Sequence, residues 1–147
     1  MTDRPRPTFR SDYRVFREIT TRWKDNDVFG HVNNVNYYSF FDTVVCGHLM
    51  DSGAFHYETS ETIAFVVQTQ CNYFAPIAFP DVIVGGLRVE KVGSSSVRYG
   101  IGLFRGDDDM ASAAGHFIHA FVNRETRNPV SELPADLRAV FDSLLAS

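Results

Sequence analysis

The 147-residue sequence has no apolar run near the ~20 residues that a helix needs to cross a bilayer, so no membrane-spanning helix is expected. Its first ten residues, MTDRPRPTFR, carry arginines but no apolar stretch, and do not read as a secretory leader. Cysteine is scarce. Cys46 and Cys71 lie in apolar runs without metal-ligand spacing, which argues against a disulfide scaffold and fits the reduced thiols of a cytoplasmic protein. Positive charge is also short, with 14 Lys and Arg against 18 Asp and Glu and a net charge of −4. The basic residues are scattered rather than gathered into the face that a nucleic-acid partner requires. No repeat, low-complexity tract or linker divides the chain. What remains is ordinary globular composition, 44% hydrophobic and 22% charged. A loose arm over residues 1–10, with Pro5 and Pro7, is expected to precede one domain over residues 11–147.

From Tyr13 to Trp23 the pattern alternates, with Tyr13, Val15, Ile19 and Trp23 on one face, and predicts a strand despite Phe16. Turn and cap residues then accumulate from Lys24 to Asn34, just before an apolar block, as at a helix start. That block, Val35 to Met50, predicts the one long helix. It is apolar nearly all round, which is the mark of an enclosed helix, and Gly53 suits its exit. Strands are expected over Ile63–Phe74, Val82–Val92, Val97–Phe104 and Ala111–Asn123, with short turns that imply antiparallel neighbours. Pro134 opens a short amphipathic helix. The fold class is α+β, one antiparallel sheet wrapped around one long central helix.

The densest group of functional side chains runs from Trp23 to Tyr37, where a loop feeds the helix. The first N–H groups of a helix have no internal partners and sit at the positive end of its dipole. Such a terminus can stabilise an oxygen that gains charge in a transition state, while a carboxylate upstream acts on the carbonyl carbon held there. The competing reading is that these residues are turn and cap chemistry alone.

The string Asp-x-Asp-x-x-Gly-His-Val-Asn-Asn-x-x-Tyr, from Asp25 to Tyr37, resembles the signature of hotdog-fold acyl-CoA thioesterases of the 4-hydroxybenzoyl-CoA thioesterase-like family. The order of elements from Tyr13 onward matches too. The resemblance implies that Asp27 is the catalytic carboxylate, acting as general base on water or as nucleophile. It also implies that the thioester carbonyl is polarised by the backbone N–H at Asn34. A thiolate, with a thiol pKa of about 8.5, leaves without a strong general acid. His31 matches the histidine of plant acyl-carrier thioesterases, where it orients water or contacts the thioester; otherwise it braces the loop. Val28 and Phe29 depart from the family, whose aromatic-CoA type has proline after the carboxylate and whose plant type has asparagine two residues after it.

Asp25 reads as structural, capping the loop or pairing with Arg22 or Lys24, and Asn33 as a cap. Tyr37 is either a wall of the acyl pocket or plain core. Asp42, on the helix, lacks an evident partner. Gly93, Ser94 and Ser95 form a turn whose N–H groups can hold phosphate, and related thioesterases place CoA near this junction. His116 and His119, three apart on a strand, point to opposite faces, so no metal site is expected there. The Asp107–Asp109 run reads as a solvated hairpin tip, lacking calcium-loop spacing. No separate cofactor is expected, CoA being part of the substrate. The resemblance implies a homodimer or homotetramer, to which the apolar edge from Ile63 to Val67 is suited. Alternatives are an acyl-carrier-protein thioesterase, a hydroxyacyl-thioester dehydratase of the same fold, or an acyl-CoA or lipid-binding module without catalysis.

Overall fold

The computed structural model describes residues 4–146. Five strands, β1 (Val15–Thr20), β2 (Thr62–Tyr73), β3 (Val82–Val92), β4 (Ser96–Arg105) and β5 (Ala113–Asn123), form one antiparallel sheet. Helix α1 (Val35–Asp51) lies across its inner face, and α2 (Ala135–Ser143) closes one end. The strand order is β1-β3-β4-β5-β2. This is the expected hotdog arrangement.

The sheet and α1 share one core. Tyr37, Phe40, Phe41, Val44, Val45 and Leu49 of α1 meet Leu87, Val89, Tyr99, Ile101, Leu103, Phe117 and Phe121 from the three central strands. The strand period of two then forces the intervening residues to the outer face. There, Tyr13 lies over Gly86 and Gly102, where any side chain would collide with its ring. Tyr13 also packs edge-on against Phe104, with ring centroids 5.8 Å apart. At Gly115 of β5 the chain comes so close to the Gln70 carbonyl of β2 that a Cβ would overlap it.

Several expectations are revised. Trp23 does not join the buried face of the first strand. β1 ends at Thr20, and Trp23 opens a short 3-10 turn (Trp23–Asp25) with 75% of its surface exposed. β2 is not beside β3: eight residues, 74–81, carry the chain back across the sheet, and β2 pairs with β5 instead. Eight residues reach about 26 Å, ample for the roughly 15 Å across three strand spacings. Nor is α1 enclosed within the single chain. Val35, Tyr38 and Met50 are exposed, as are Asp42 and Thr43, because one sheet covers only one side of a helix. Part of the expected loose arm is tied down: Phe9 bridges to Met110, and the Arg10 guanidinium lies over Phe104 and donates to the Asp108 carbonyl. Residues 1–3 of that arm lie outside the described residues.

Candidate active site

The segment between β1 and α1 is organised by backbone hydrogen bonds that its turn residues permit. The Asp27 N–H donates to the His31 carbonyl at 2.9 Å, and the Gly30 N–H to the Asp27 carbonyl at 3.1 Å. Gly30 sits at φ +81°, a left-handed conformation costly for residues with a Cβ. The loop base is fixed to β3's approach: the Val32 N–H donates to the Ile77 carbonyl and the Phe79 N–H to Asn26 Oδ1.

Two carboxylates two residues apart are used differently. Asp25 is buried, at 1% exposure, and both its oxygens are taken. The Arg22 guanidinium donates to Oδ1 at 2.9 Å and the Arg22 N–H to Oδ2 at 2.8 Å. The Asp25 carbonyl also accepts from the Asn33 N–H and the Asn36 side chain. Asp25 is thus the brace that the sequence suggested. Asp27 is half-buried, and only its Oδ1 is engaged, by the Phe29 N–H at 2.8 Å. Its second oxygen has no hydrogen-bond partner among the described residues.

The helix start has the same character. Asn33 caps α1, its Oδ1 accepting from the Val35 N–H at 3.1 Å. The Asn36 N–H goes to the Asn33 carbonyl and the Tyr37 N–H to that of Asn34. The Asn34 N–H, in an exposed residue, is left without a protein partner among the described residues. The Asn34 carbonyl is held by the Tyr73 hydroxyl at 3.2 Å. An unengaged donor at the start of a helix thus lies seven residues along the chain from a carboxylate with one oxygen unengaged.

The imidazole of His31 is exposed and makes no hydrogen bond among the described residues. Its carbonyl, not its ring, braces the loop. Tyr37 is 3% exposed, packed against Tyr73 at 4.9 Å, and belongs to the core of the single chain. Burial pushes its phenol pKa above the usual value. The Gly93–Ser95 turn does not join Asp27 within one chain. Its neighbours Ser96 and Ala120 are level with Phe65 of β2, whereas Asn34 sits by Tyr73. Phe65 and Tyr73 are about 26 Å apart along the strand.

What sequence reasoning missed is the apolar skin around Asp27. Val28 and Phe29, the two departures from the family pattern, are 93% and 81% exposed, and Trp23 leans on Phe79 beside them. Together with Lys24, Asp27 and Asn33 they line an open groove of about 570 Å³. An apolar pair inside a turn-rich stretch was the available signal. Also unforeseen is a second group, in which the Cys46 thiol donates to Asp42 Oδ1 at 3.4 Å beside buried His119. His116 and His119 do face opposite ways. His116 lies on the outer face between Arg98 and Gln68, and His119 points inward to the Tyr99 hydroxyl.

One antiparallel sheet wrapped around one long helix defines a protein of the hotdog class. The chain belongs to the thioesterase superfamily, whose sequence model matches residues 29–112. It is similar to the PA5185 protein of Pseudomonas aeruginosa, with 46% identity, a TM-score of 0.93, and 97% of this chain and 99% of that one covered. Its fold is shared by the DHNA-CoA thioesterase of Staphylococcus aureus (21% identity, 87% and 86% covered, TM-score 0.74). The BH1999 gentisyl-coenzyme A thioesterase shares it too (20% identity, 86% and 99% covered, TM-score 0.73). A curated relative, the uncharacterised YsmA of Bacillus subtilis, is 25% identical over 95 residues, 65% of this chain; the match spans 64% of that protein's length.

Proposed function

We propose that the protein hydrolyses an acyl-CoA thioester to a carboxylic acid and free CoA, with Asp27 as the central residue. The observation that carries this reading is the unpartnered Asn34 N–H at the start of α1, together with the open oxygen of Asp27. The thioester oxygen accepts from Asn34 as charge develops on it. Asp27 either takes a proton from the attacking water or attacks the carbonyl carbon itself, and the C–S bond breaks to release thiolate; in the second route water then cleaves the resulting anhydride, releasing the acid and restoring Asp27. CoA enters as substrate, and the step needs no cofactor. Two solved relatives of the same fold are named as CoA thioesterases, which favours CoA over a carrier protein as the thiol. His31, exposed beside Asp27, orients the water. A cytoplasmic location goes with this substrate and with two cysteines that are both free.

The functional unit on this reading is a homodimer or a pair of dimers. β2 is an edge strand with Phe65, Val66 and Val67 exposed, a surface that invites a second copy. Antiparallel pairing of two such edges turns the second copy's Gly93–Ser95 turn toward the end where Asp27 lies. Its N–H groups then meet CoA phosphate across the interface, and Tyr37 backs the acyl end from within the core. None of the described helices is long and apolar enough to cross a membrane, and the substrate is reached from water.

Free thiol released from short, long and aromatic acyl-CoAs tests the reading, with wild type beside Asp27→Asn. Turnover by wild type and a drop of at least about a hundredfold in a folded variant, roughly 2.7 kcal/mol of transition-state stabilisation, are expected. Undiminished activity in Asp27→Asn would move the chemistry to another residue. Thermal stabilisation by an acyl-CoA without turnover would identify a binding module. Val66→Lys, at the β2 edge, is expected to give an inactive monomer with Asp27 intact; a fully active monomer in sedimentation overturns the shared site.

A further inference from the structure

Asp42 and Cys46 are one helical turn apart on the side of α1 that reaches β5, and His119 of β5 meets them there. One oxygen, one sulfur and one ring nitrogen all lie within 4.8 Å of one another. Ligand atoms around a tetrahedral zinc ion are roughly 3.3–3.8 Å apart, given bonds of about 2.0–2.3 Å, so a contraction of about 1 Å by side-chain rotation completes the set. The Cys46 thiol and Asp42 Oδ1 already stand at 3.4 Å.

The histidine of this group is held firmly by its surroundings. His119 is 3% exposed and boxed by the rings of Tyr99, Phe117 and Phe121, at 5.3, 4.9 and 5.7 Å. Its Nδ1 is 3.1 Å from the Tyr99 hydroxyl, itself in a fully buried residue. That bond fixes the ring plane, as the outer-sphere partners of ligating histidines do. Soft sulfur with imidazole and one carboxylate selects zinc, or cobalt in its place, over magnesium or calcium.

We propose that Asp42, Cys46 and His119 form a transition-metal site of the zinc class, with Tyr99 orienting the histidine and a fourth position left for water. Eight residues separate Asp42 from Asn34, about 12 Å along the helix, so the ion takes no part in the hydrolysis proposed above. Its effect is to clip α1 to β5.

Cobalt(II) titration of the reduced full-length protein tests this, because a cobalt–thiolate bond gives a near-ultraviolet charge-transfer band. Wild type is expected to show that band, saturating at one ion per chain, and to melt higher with zinc than without. Cys46→Ser is expected to lose the band, and Asp42→Asn and His119→Gln to weaken cobalt binding at least tenfold. Tyr99→Phe should weaken it less, and Cys71→Ser, on β2, should leave the band unchanged. Circular dichroism of each variant separates lost ligation from lost fold. The site is refuted if folded wild type shows no band, or if the band survives in Cys46→Ser. The hydrolysis assay of Asp27→Asn is unaffected by either result.

Discussion

The outer face of the sheet and the turn before α1 are both rich in polar side chains, yet they differ in what is left over. On the outer face Glu90 accepts from Arg88 at 3.0 Å and Arg98 at 2.9 Å, Arg98 reaches His116, and His116 reaches Gln68. These side chains are tied into one another, and among the described residues Arg88 Nε is the buried side-chain atom left without a partner. The Asp27 turn is sparser, but it leaves one carboxylate oxygen and one helix N–H open beside an apolar groove. A saturated network holds structure, whereas unspent hydrogen-bonding capacity is what a reacting group can use. On the function proposed above, residual capacity rather than density of polar residues marks the site.

The contrast is sharpest between Asp25 and Asp27. Asp25→Asn removes the charge that meets Arg22 in a buried position and is expected to lower unfolding free energy by about 2 kcal/mol. Asp27→Asn should change stability by no more than about 0.5 kcal/mol while removing turnover. Urea unfolding of both variants checks this, and equal losses would erase the distinction. Next in size, Asn33→Ala deletes the helix cap and should cost about 1 kcal/mol. Because that cap positions the Asn34 N–H, thiol release should fall as well, in a variant that keeps Asp27. The smallest effect is expected on the saturated side. Glu90→Gln should cost about 0.5 kcal/mol, since the amide oxygen can still accept from one arginine, and leave thiol release unchanged. A large loss of activity there would mean that the outer face is part of the site.

Much of this was legible in the chain because it is local. The cap at Asn33, the Asp25–Arg22 pair and the helix from Val35 are all written within three or four residues of their partners. The exit glycine Gly53, at φ +78°, belongs to the same class. What escaped depends on distant partners. Trp23 leaves the alternating face because β1 stops at Thr20, where its pairing with Val82 ends. His119 comes near the Asp42–Cys46 pair of α1 only because the sheet brings another element there. The Gly93–Ser95 turn looked adjacent to the chemistry by analogy, yet strand length carries it to the far end of the sheet.

Gly115 shows what such closeness means for a lineage of sequences. Every other amino acid begins with a Cβ, and at this point a Cβ would press into the Gln70 carbonyl and prise β2 from its neighbour. Solvated positions such as the Asp107–Asp109 tip can drift letter by letter under weak selection. Position 115 offers drift no such steps. A lineage that abandons glycine there must rebuild the strand beside it in the same move, so the alphabet at that site has in effect one letter.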